Sequence, residues 1–472
     1  VRTAARLYTG PMLRTGETVE LDVDRLAYGG QGVARHNDLV VFVRGAVPGD
    51  RVRATVRRRK PRYAEARLDE ILEPSTLRRA PVCRHVADCG GCEWQSLDYA
   101  AQLQLKQQQV VESLEHIAGL RDFAVEPIAG MEHPWEYRNK MEYSFGTDPD
   151  GRLLLGLHRR GSWREIVEAD ECRLASAEMR QARQAVQDAC RTLGLSAYRR
   201  TDATDDDGDG EGPLRHLTVR RGVVSGDLFL NLFVSRRLPQ EQQIVSLTRS
   251  AGCGFTSFAV TVNESPADAA VGVGPFMLEG PPFFHETLAG VPLRVPAAAF
   301  LQTNTVMCSR LYETALRWAA PAPDRPAFDL YCGIGSMTIP LARRASRVTA
   351  IEVQEEAVDA AAENLRGNGV SAVTLQAGDV RVVLKGMLPL PPGEVPATVI
   401  TDPPRAGMSK KAVARMAALG ADRLVYVSCN PATLAGNAAL LAESGYVLRR
   451  VAPVDMFPHT HHIEAVALFE PA

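Results

Sequence analysis

Asp329-Leu330-Tyr331-Cys332-Gly333-Ile334-Gly335-Ser336 continues an apolar run that begins at Ala327 and opens into a segment of helical character. Glycines at such a strand-to-helix junction let the backbone turn tightly beside an adenosine-containing ligand. Outward from this loop the pattern repeats. Apolar runs at 348–351, 373–375, 399–401 and 424–427 alternate with helical stretches, one after Gly335 and one from Glu355. Apolar strands separated by helices predict a parallel sheet with helices on both faces, an α/β domain over 295–472. Ligands of such sheets bind beyond the carboxyl ends of the strands. Glu352 lies at one of those ends, where a carboxylate can accept hydrogen bonds from ribose hydroxyls. The third glycine of a dinucleotide fingerprint is replaced by Thr338, which disfavours an NAD-dependent oxidoreductase.

Thr401-Asp402-Pro403-Pro404-Arg405 follows another strand of the same series. Its consecutive prolines fix an extended backbone and remove two donors, so they can hold a carboxylate and carbonyls toward a base or cofactor. Together with Asp379, this loop favours a methyltransferase over a dehydrogenase. Ser428-Cys429-Asn430-Pro431 then puts a thiol at a strand's carboxyl end. A cysteine by itself is usually an inert buried hydrophobe. Here its company matters, because 455–464 brings His459, His461, His462 and Glu464 toward the end of the sheet. A histidine group also suggests a metal site, but the irregular spacing makes that the weaker reading.

The rest of the 472-residue chain has an ordinary globular composition, 45% hydrophobic and 23% charged, with room for about three domains of ~150 residues. Lacking an apolar span or a signal peptide, the chain is expected to be cytoplasmic, without a membrane and monomeric. A net charge of −2 hides local patches and decides nothing about nucleic acid. Residues 1–13 read as a tail. Val19, Leu21 and Val23 alternate with polar residues, Tyr28 to Gly32 supplies a turn, and runs at 39–43, 50–56 and 63–72 follow. A small antiparallel barrel of about five strands over 14–74 fits this spacing. Arg51, Arg53, Arg57, Arg58, Arg59, Lys60 and Arg62 make it basic enough to contact phosphates.

Residues 75–294 predict a mixed α+β central domain, with a helix over 97–120 and strands at 139–146, 153–159, 216–220 and 228–233. The six acidic residues and several glycines of 201–212 read as a disordered surface insertion. Nine cysteines, an odd number in an intracellular-looking chain, favour metal binding or catalysis over disulfides. Cys83, Cys89 and Cys92 fall within ten residues, a spacing that by itself suggests zinc. Cys190, Cys253, Cys308 and Cys332 read as ordinary apolar residues.

Phe300-Leu-Gln302-Thr-Asn304, Asp329-Leu-Tyr331-Cys-Gly333-Ile-Gly335, Asp402-Pro-Pro-Arg405 and Ser428-Cys429-Asn430-Pro431 stand in that order, followed by Glu464. With them the whole chain resembles the RNA 5-methyluridine methyltransferase family. The resemblance implies a class I, Rossmann-like S-adenosylmethionine-dependent domain preceded by an oligonucleotide-binding-type barrel, the TRAM module. It implies Cys429 as the nucleophile at uracil C6 and Glu464 as the base at C5. It places Gln302, Tyr331, Gly333, Gly335, Ser336, Glu352, Asp379 and Asp402 around S-adenosylmethionine, with Phe300 and Arg405 toward the substrate. Many members carry Asn where this chain has Ser336, whose reach is shorter. Members with the cysteine segment bind a [4Fe–4S] cluster, and Cys172 matches the fourth ligand beside Cys83, Cys89 and Cys92. The implied partner is RNA, 23S ribosomal RNA first and the transfer-RNA T-loop second. The alternatives are a catalytically silent RNA-binding factor and the disfavoured oxidoreductase.

Overall fold

The computed structural model describes residues 13–198, 212–265 and 269–472. The expected tail, apart from Leu13, and the acidic stretch, apart from Gly212, lie outside the described residues. The chain divides into two units, one of residues 1–82, 92–109 and 457–462 and one of 83–91, 110–456 and 463–472.

The first unit is built on a closed barrel. Around it run the strands Thr18–Leu26, Gly32–His36, Leu39–Arg44, Tyr63–Glu73 and Arg51–Arg59, the last pairing back onto the first. Strict alternation explains the closure: Val19, Leu21 and Val23 point inward with Val41, Val43, Val52, Ala54, Val56 and Ala64 into one buried core. All pairs are antiparallel except Leu39–Arg44 with Tyr63–Glu73, which is parallel. This departs from the expected all-antiparallel order, because Arg51–Arg59 lies between those two strands in sequence but not in space. The basic stretch is also partly neutralised. Arg51 pairs with Glu20 and Glu73, Arg53 with Glu20 and Glu70, and Arg58 with Glu65.

The second unit holds two large sheets among the described residues. One has seven strands, in the order Val273–Glu279, Ser257–Val262, Leu228–Val234, Leu214–Arg221, Lys140–Thr147, Leu153–His158 and Ile166–Val167. The helix Ala177–Thr192 packs on it, started by the hydroxyl of Ser176, which accepts from the Met179 amide. The other sheet has eight strands, ordered Val373–Ala377, Val348–Glu352, Ala327–Leu330, Thr398–Thr401, Arg423–Ser428, Glu464–Pro471, Tyr446–Val454 and Ala124–Val125.

The first five of these eight are parallel, and Leu330, Val399, Ile400, Val425 and Val427 are almost fully buried, as strands covered on both faces must be. The expectation of a wholly parallel sheet does not hold at one edge. Glu464–Pro471 runs antiparallel to both neighbours, since 455–463 is too short to carry a crossover helix. From Ala327–Leu330 the chain winds one way to Val373–Ala377, then returns to continue the other way at Thr398–Thr401. The strand order therefore reverses between these two strands, opening a crevice at their carboxyl ends.

Candidate active site

Tyr331, Glu352, Asp379, Asp402 and Cys429 each stand at or just beyond the carboxyl end of a strand of this sheet. Tyr331 leaves its strand at φ 66°, a left-handed conformation, and Gly335 follows at φ 84°. A Cβ on Gly335 would stand 3.3 Å from the Cβ of Ala361, so that turn takes glycine for close packing as well as for its backbone angle. The loop is tied from both sides. The Gly333 amide donates to Glu352 Oε2 (3.1 Å), and Oε1 accepts from the amides of Val353 (2.8 Å) and Gln354 (3.0 Å). The Thr338 hydroxyl donates to Asp329 Oδ2 (2.6 Å). Ser336 lies 3.1 Å from the hydroxyl of Tyr312, so its short side chain is engaged with the neighbouring helix. Asp379 caps the helix Val380–Met387 by accepting from the Val382 amide (3.1 Å).

The Asp402 loop is fixed onto the helix that follows Cys429. Asn437 Oδ1 accepts from the Met408 amide (2.8 Å) and the Tyr426 hydroxyl (2.6 Å), while its Nδ2 donates to Met408 O (2.9 Å). Asn430, the N-cap of the helix Pro431–Glu443, donates to Arg405 O at 3.5 Å, and Thr433 donates to the same carbonyl at 3.4 Å. Cys429 is thus held half-buried beside the Arg405 loop. The pairing of Ser428 with Ala465 sets Glu464 at the start of the adjacent strand.

Electrostatically this is a crowded anionic crevice. Burial first, and then Asp402 and Glu352, push Asp329 up to about 7 despite the Thr338 hydrogen bond. Burial pushes Asp402 up to about 6, opposed by a hydrogen bond from Gln302. Glu464 is 2% exposed, and burial with Asp402 nearby holds its carboxyl well above the usual range; its Oε2 makes no hydrogen bond. Burial, Glu464 and Asp402 push the Cys429 thiol up to about 11, while Arg405 pulls it down. Burial, with Asp379 and Glu352, takes Tyr331 up to about 12.

The structure therefore brings Glu464, Asp402 and Arg405 within electrostatic reach of Cys429, with Gln302 and Asp329 linked to them through Asp402, and Glu352, Tyr331 and Asp379 through Asp329 and one another. Phe300 stands 75% exposed, two residues ahead of Gln302. Such an arrangement sets a half-buried thiol and a buried carboxyl among acidic groups whose ionisation a nearby cation would favour. Sequence reasoning quoted Asp329 without giving it a role and missed the anchors Thr338 and Asn437, whose signal is only a polar residue at a helical core position.

The three histidines of 459–462 belong to the first unit. His459 accompanies the first unit, where the Gln102 side chain binds its amide and lies 3.2 Å from its Nδ1, and His461 pairs with Glu93. Of the four cysteines expected to act together, Cys83, Cys89 and Cys172 belong to the second unit, where Cys172 raises both other thiols after burial has done so. Cys92 belongs to the first unit. Among the described residues no group of three or more His, Cys, Asp or Glu is placed to hold a metal ion. Cys190, Cys253, Cys308 and Cys332 are buried, though Cys308 lies against Tyr312 within electrostatic range of Asp402 and Glu464.

The family model described as tRNA (uracil-5-)-methyltransferase matches residues 291–383 and 394–471, and the TRAM domain model matches 13–68. An uncharacterized RNA methyltransferase of Caldanaerobacter subterraneus subsp. tengcongensis is 35% identical over 96% of this chain and 99% of its own. The chain belongs to the RNA uracil-5 methyltransferase family. An uncharacterized RNA methyltransferase of Bacillus cereus shares 32% identity over 97% of both chains. The crystal structure of Pyrococcus abyssi tRNA (uracil-54, C5)-methyltransferase with S-adenosyl-L-homocysteine superposes with a TM-score of 0.74 at 25% identity, covering 95% of this chain and 99% of that one. The enzyme is accordingly an S-adenosylmethionine-dependent RNA methyltransferase with an N-terminal TRAM barrel. No helix among its described residues is long and apolar enough to cross a membrane.

Proposed function

We propose that the enzyme methylates C5 of a uridine in RNA through a covalent adduct between Cys429 and C6 of the base. The grouping of Cys429 with Glu464, Asp402 and Arg405 at the strand ends carries this reading. Uracil C5 is too weak a nucleophile to take a methyl group unaided. The Cys429 thiol gives up its proton to solvent, with Arg405 the neighbour that favours the thiolate, and addition of that thiolate to C6 moves electron density onto C5. S-adenosylmethionine would supply an electrophilic methyl group, which passes to C5 as its bond to the sulfonium sulfur breaks; Gln302, Tyr331, Glu352 and Asp402 would hold the cofactor, with Asp379, Ser336 and the Gly333 and Gly335 backbone beside them. Glu464, a carboxylate of raised pKa, accepts the remaining C5 proton, and the Cys429–C6 bond then breaks to return the thiolate and 5-methyluridine. The base must leave its stack to reach the thiol, and exposed Phe300 is suited to stack on it, with Arg405 beside it.

Ribosomal 23S RNA is the substrate we favour, on the resemblance of the TRAM barrel and cysteine segment. The likeness to the tRNA enzyme supports the transfer-RNA T-loop as the second reading. We assign 14–74 to RNA binding, 75–294 to a central domain and 295–472 to catalysis, in a cytoplasmic monomer, since both reacting side chains come from one chain. Cys83, Cys89, Cys92 and Cys172 are proposed to hold a [4Fe–4S] cluster. This rests on the resemblance of the cysteine segment, whose thiols would bind iron as thiolates. No step of the methylation passes through it.

The test incubates variants with RNA and S-adenosylmethionine. Cys429→Ala should give no 5-methyluridine, and Glu464→Gln should accumulate a protein–RNA adduct that survives denaturation. Full methylation by Cys429→Ala would end the covalent mechanism, and mapping 5-methyluridine in both RNA classes decides the substrate.

A further inference from the structure

Arg220, near the end of the strand Leu214–Arg221, is only 3% exposed, and among the described residues no carboxylate forms an ion pair with it. An interior guanidinium without a counter-ion is costly, and burial draws its pKa down to about 10. Its offset comes from carbonyl dipoles. Nη1 donates to the carbonyls of Pro296 (3.2 Å), Ala297 (2.9 Å) and Ala299 (2.7 Å), and the group lies 4.8 Å from the ring centre of Phe284. Those carbonyls belong to the turn that runs directly into exposed Phe300.

Gln302 is held by other residues. Asn139, 1% exposed, donates from Nδ2 to Gln302 O (2.8 Å) and Thr305 Oγ1 (3.0 Å), and its amide donates to Thr303 O (2.9 Å). Thr305 in turn donates to buried Glu286 (2.7 Å). The segment 296–305 therefore has two anchors, one ahead of Phe300 and one behind Gln302, both from outside the catalytic sheet.

We propose that Arg220 is a positioning residue for the substrate base, acting through Phe300, whereas Asn139 separately fixes the cofactor side through Gln302. The proposal rests on the reading of Phe300 as the residue that stacks on the target base. Nη1 shares its two hydrogens among three carbonyls of one turn while the planar guanidinium lies against the Phe284 ring. An ammonium on a flexible stem has the donors but not the planar group that this ring contact holds in place. Misplacing a reacting partner by about an ångström costs on the order of a hundredfold in turnover.

The test compares Arg220→Met, Arg220→Lys, Phe300→Ala and the Met/Ala double variant in the full-length enzyme. Arg220→Met should lower kcat/KM for RNA by roughly 30- to 100-fold while the Kd for S-adenosylmethionine stays within about twofold. Arg220→Lys should fall between it and the wild type. The double variant should be no more than about threefold worse than Phe300→Ala alone, because both changes remove one function. Amide hydrogen exchange in Arg220→Met should accelerate over 297–301 and stay unchanged over 302–305, a readout that needs no turnover and so holds whichever product the enzyme makes. Penalties that multiply in the double variant, S-adenosylmethionine binding lost in step with turnover, or unchanged exchange over 297–301 would each overturn the proposal. So would a fully active Phe300→Ala enzyme, which would remove the stacking premise while the exchange data still reported the anchor.

Discussion

Replacing Asp329 by Asn should make the ligand-free enzyme more stable, and increasingly so as pH rises. Asp329 is 2% exposed and its carboxyl titrates at about 7, against an ordinary value of 3.8. A carboxyl whose pKa is raised by folding stabilises the fold while protonated, and that contribution disappears as pH climbs through the folded value. At 1.36 kcal/mol per unit, the raised carboxyl costs the fold roughly 2 kcal/mol at pH 5, where it keeps a proton that the unfolded chain has lost, and roughly 4 kcal/mol at pH 8, where it is ionised in place. Asn occupies the same volume, never ionises, and its amide oxygen can still accept from Thr338. Melting the two proteins without cofactor at pH 5 and pH 8 should therefore show the advantage of the variant growing by about 2–3 kcal/mol. A constant difference across that range, or a variant less stable at pH 8, would refute the claim that desolvation of this carboxylate is a burden on the fold. S-adenosylmethionine affinity measured alongside shows whether the loop from Tyr331 to Gly335 has kept its shape.

The Cys429 thiol of the ligand-free enzyme, pushed up to about 11, should be alkylated by iodoacetamide about tenfold faster per pH unit between 8 and 10, and Arg405→Met should move the midpoint upward. A rate that levels off by pH 8.5 would contradict the assigned environment. On the barrel, Arg51 and Arg53 are neutralised by Glu20, Glu70 and Glu73, whereas Lys60 and Arg62 have no ion pair within 4 Å among the described residues. A Lys60→Met/Arg62→Met enzyme should lose RNA affinity and flatten the salt dependence by about 1.5 units of slope; Arg51→Met/Arg53→Met should change that slope little. Equal losses in the two pairs would show that cross-strand pairing does not decide which cations meet phosphate.

The crevice is legible in the sequence where a motif sits on a strand end, because a doubly wound sheet gathers its strand ends in one place. Asp329, Asp402 and Cys429 therefore converge even though they are far apart in sequence. Placement that depends on tertiary register is not legible in this way. The parallel contact between Leu39–Arg44 and Tyr63–Glu73 follows from barrel closure, not from alternation. The charge of Arg51–Arg59 looked additive because cross-strand partners such as Glu70 are visible only once the bulged register with Tyr63–Glu73 is known. Arg220 and Asn139 lie at strand ends whose alternation reads as an ordinary polar face, so nothing local marks them as buried anchors. His459 and His461 lie in sequence between the strands Tyr446–Val454 and Glu464–Pro471, yet their hydrogen bonds are to Gln102 and Glu93.

The carboxyls of the crevice bear on the cofactor cycle. Asp329, Asp402 and Glu464 are each raised first by burial, and Asp402 adds to the shift of the other two, so ionising one opposes ionising the next. A cation placed among them reverses that balance and favours the ionised forms. S-adenosylmethionine carries a positive sulfonium; after the methyl group leaves, S-adenosylhomocysteine is a neutral thioether of nearly the same shape. Binding the first near pH 6.5 should release protons that binding the second does not, measurable by calorimetry in buffers of different ionisation enthalpy. By linkage, the preference for S-adenosylmethionine over S-adenosylhomocysteine should strengthen from pH 5.5 to 8, by up to about tenfold for each pH unit over which one extra proton is released. Equal proton release for both ligands, with a preference independent of pH, would show that these carboxyls do not sense the sulfonium. The opposite result makes loss of the methyl group the event that loosens the spent cofactor, since the crevice then regains its protons and its hold on a cation has no object.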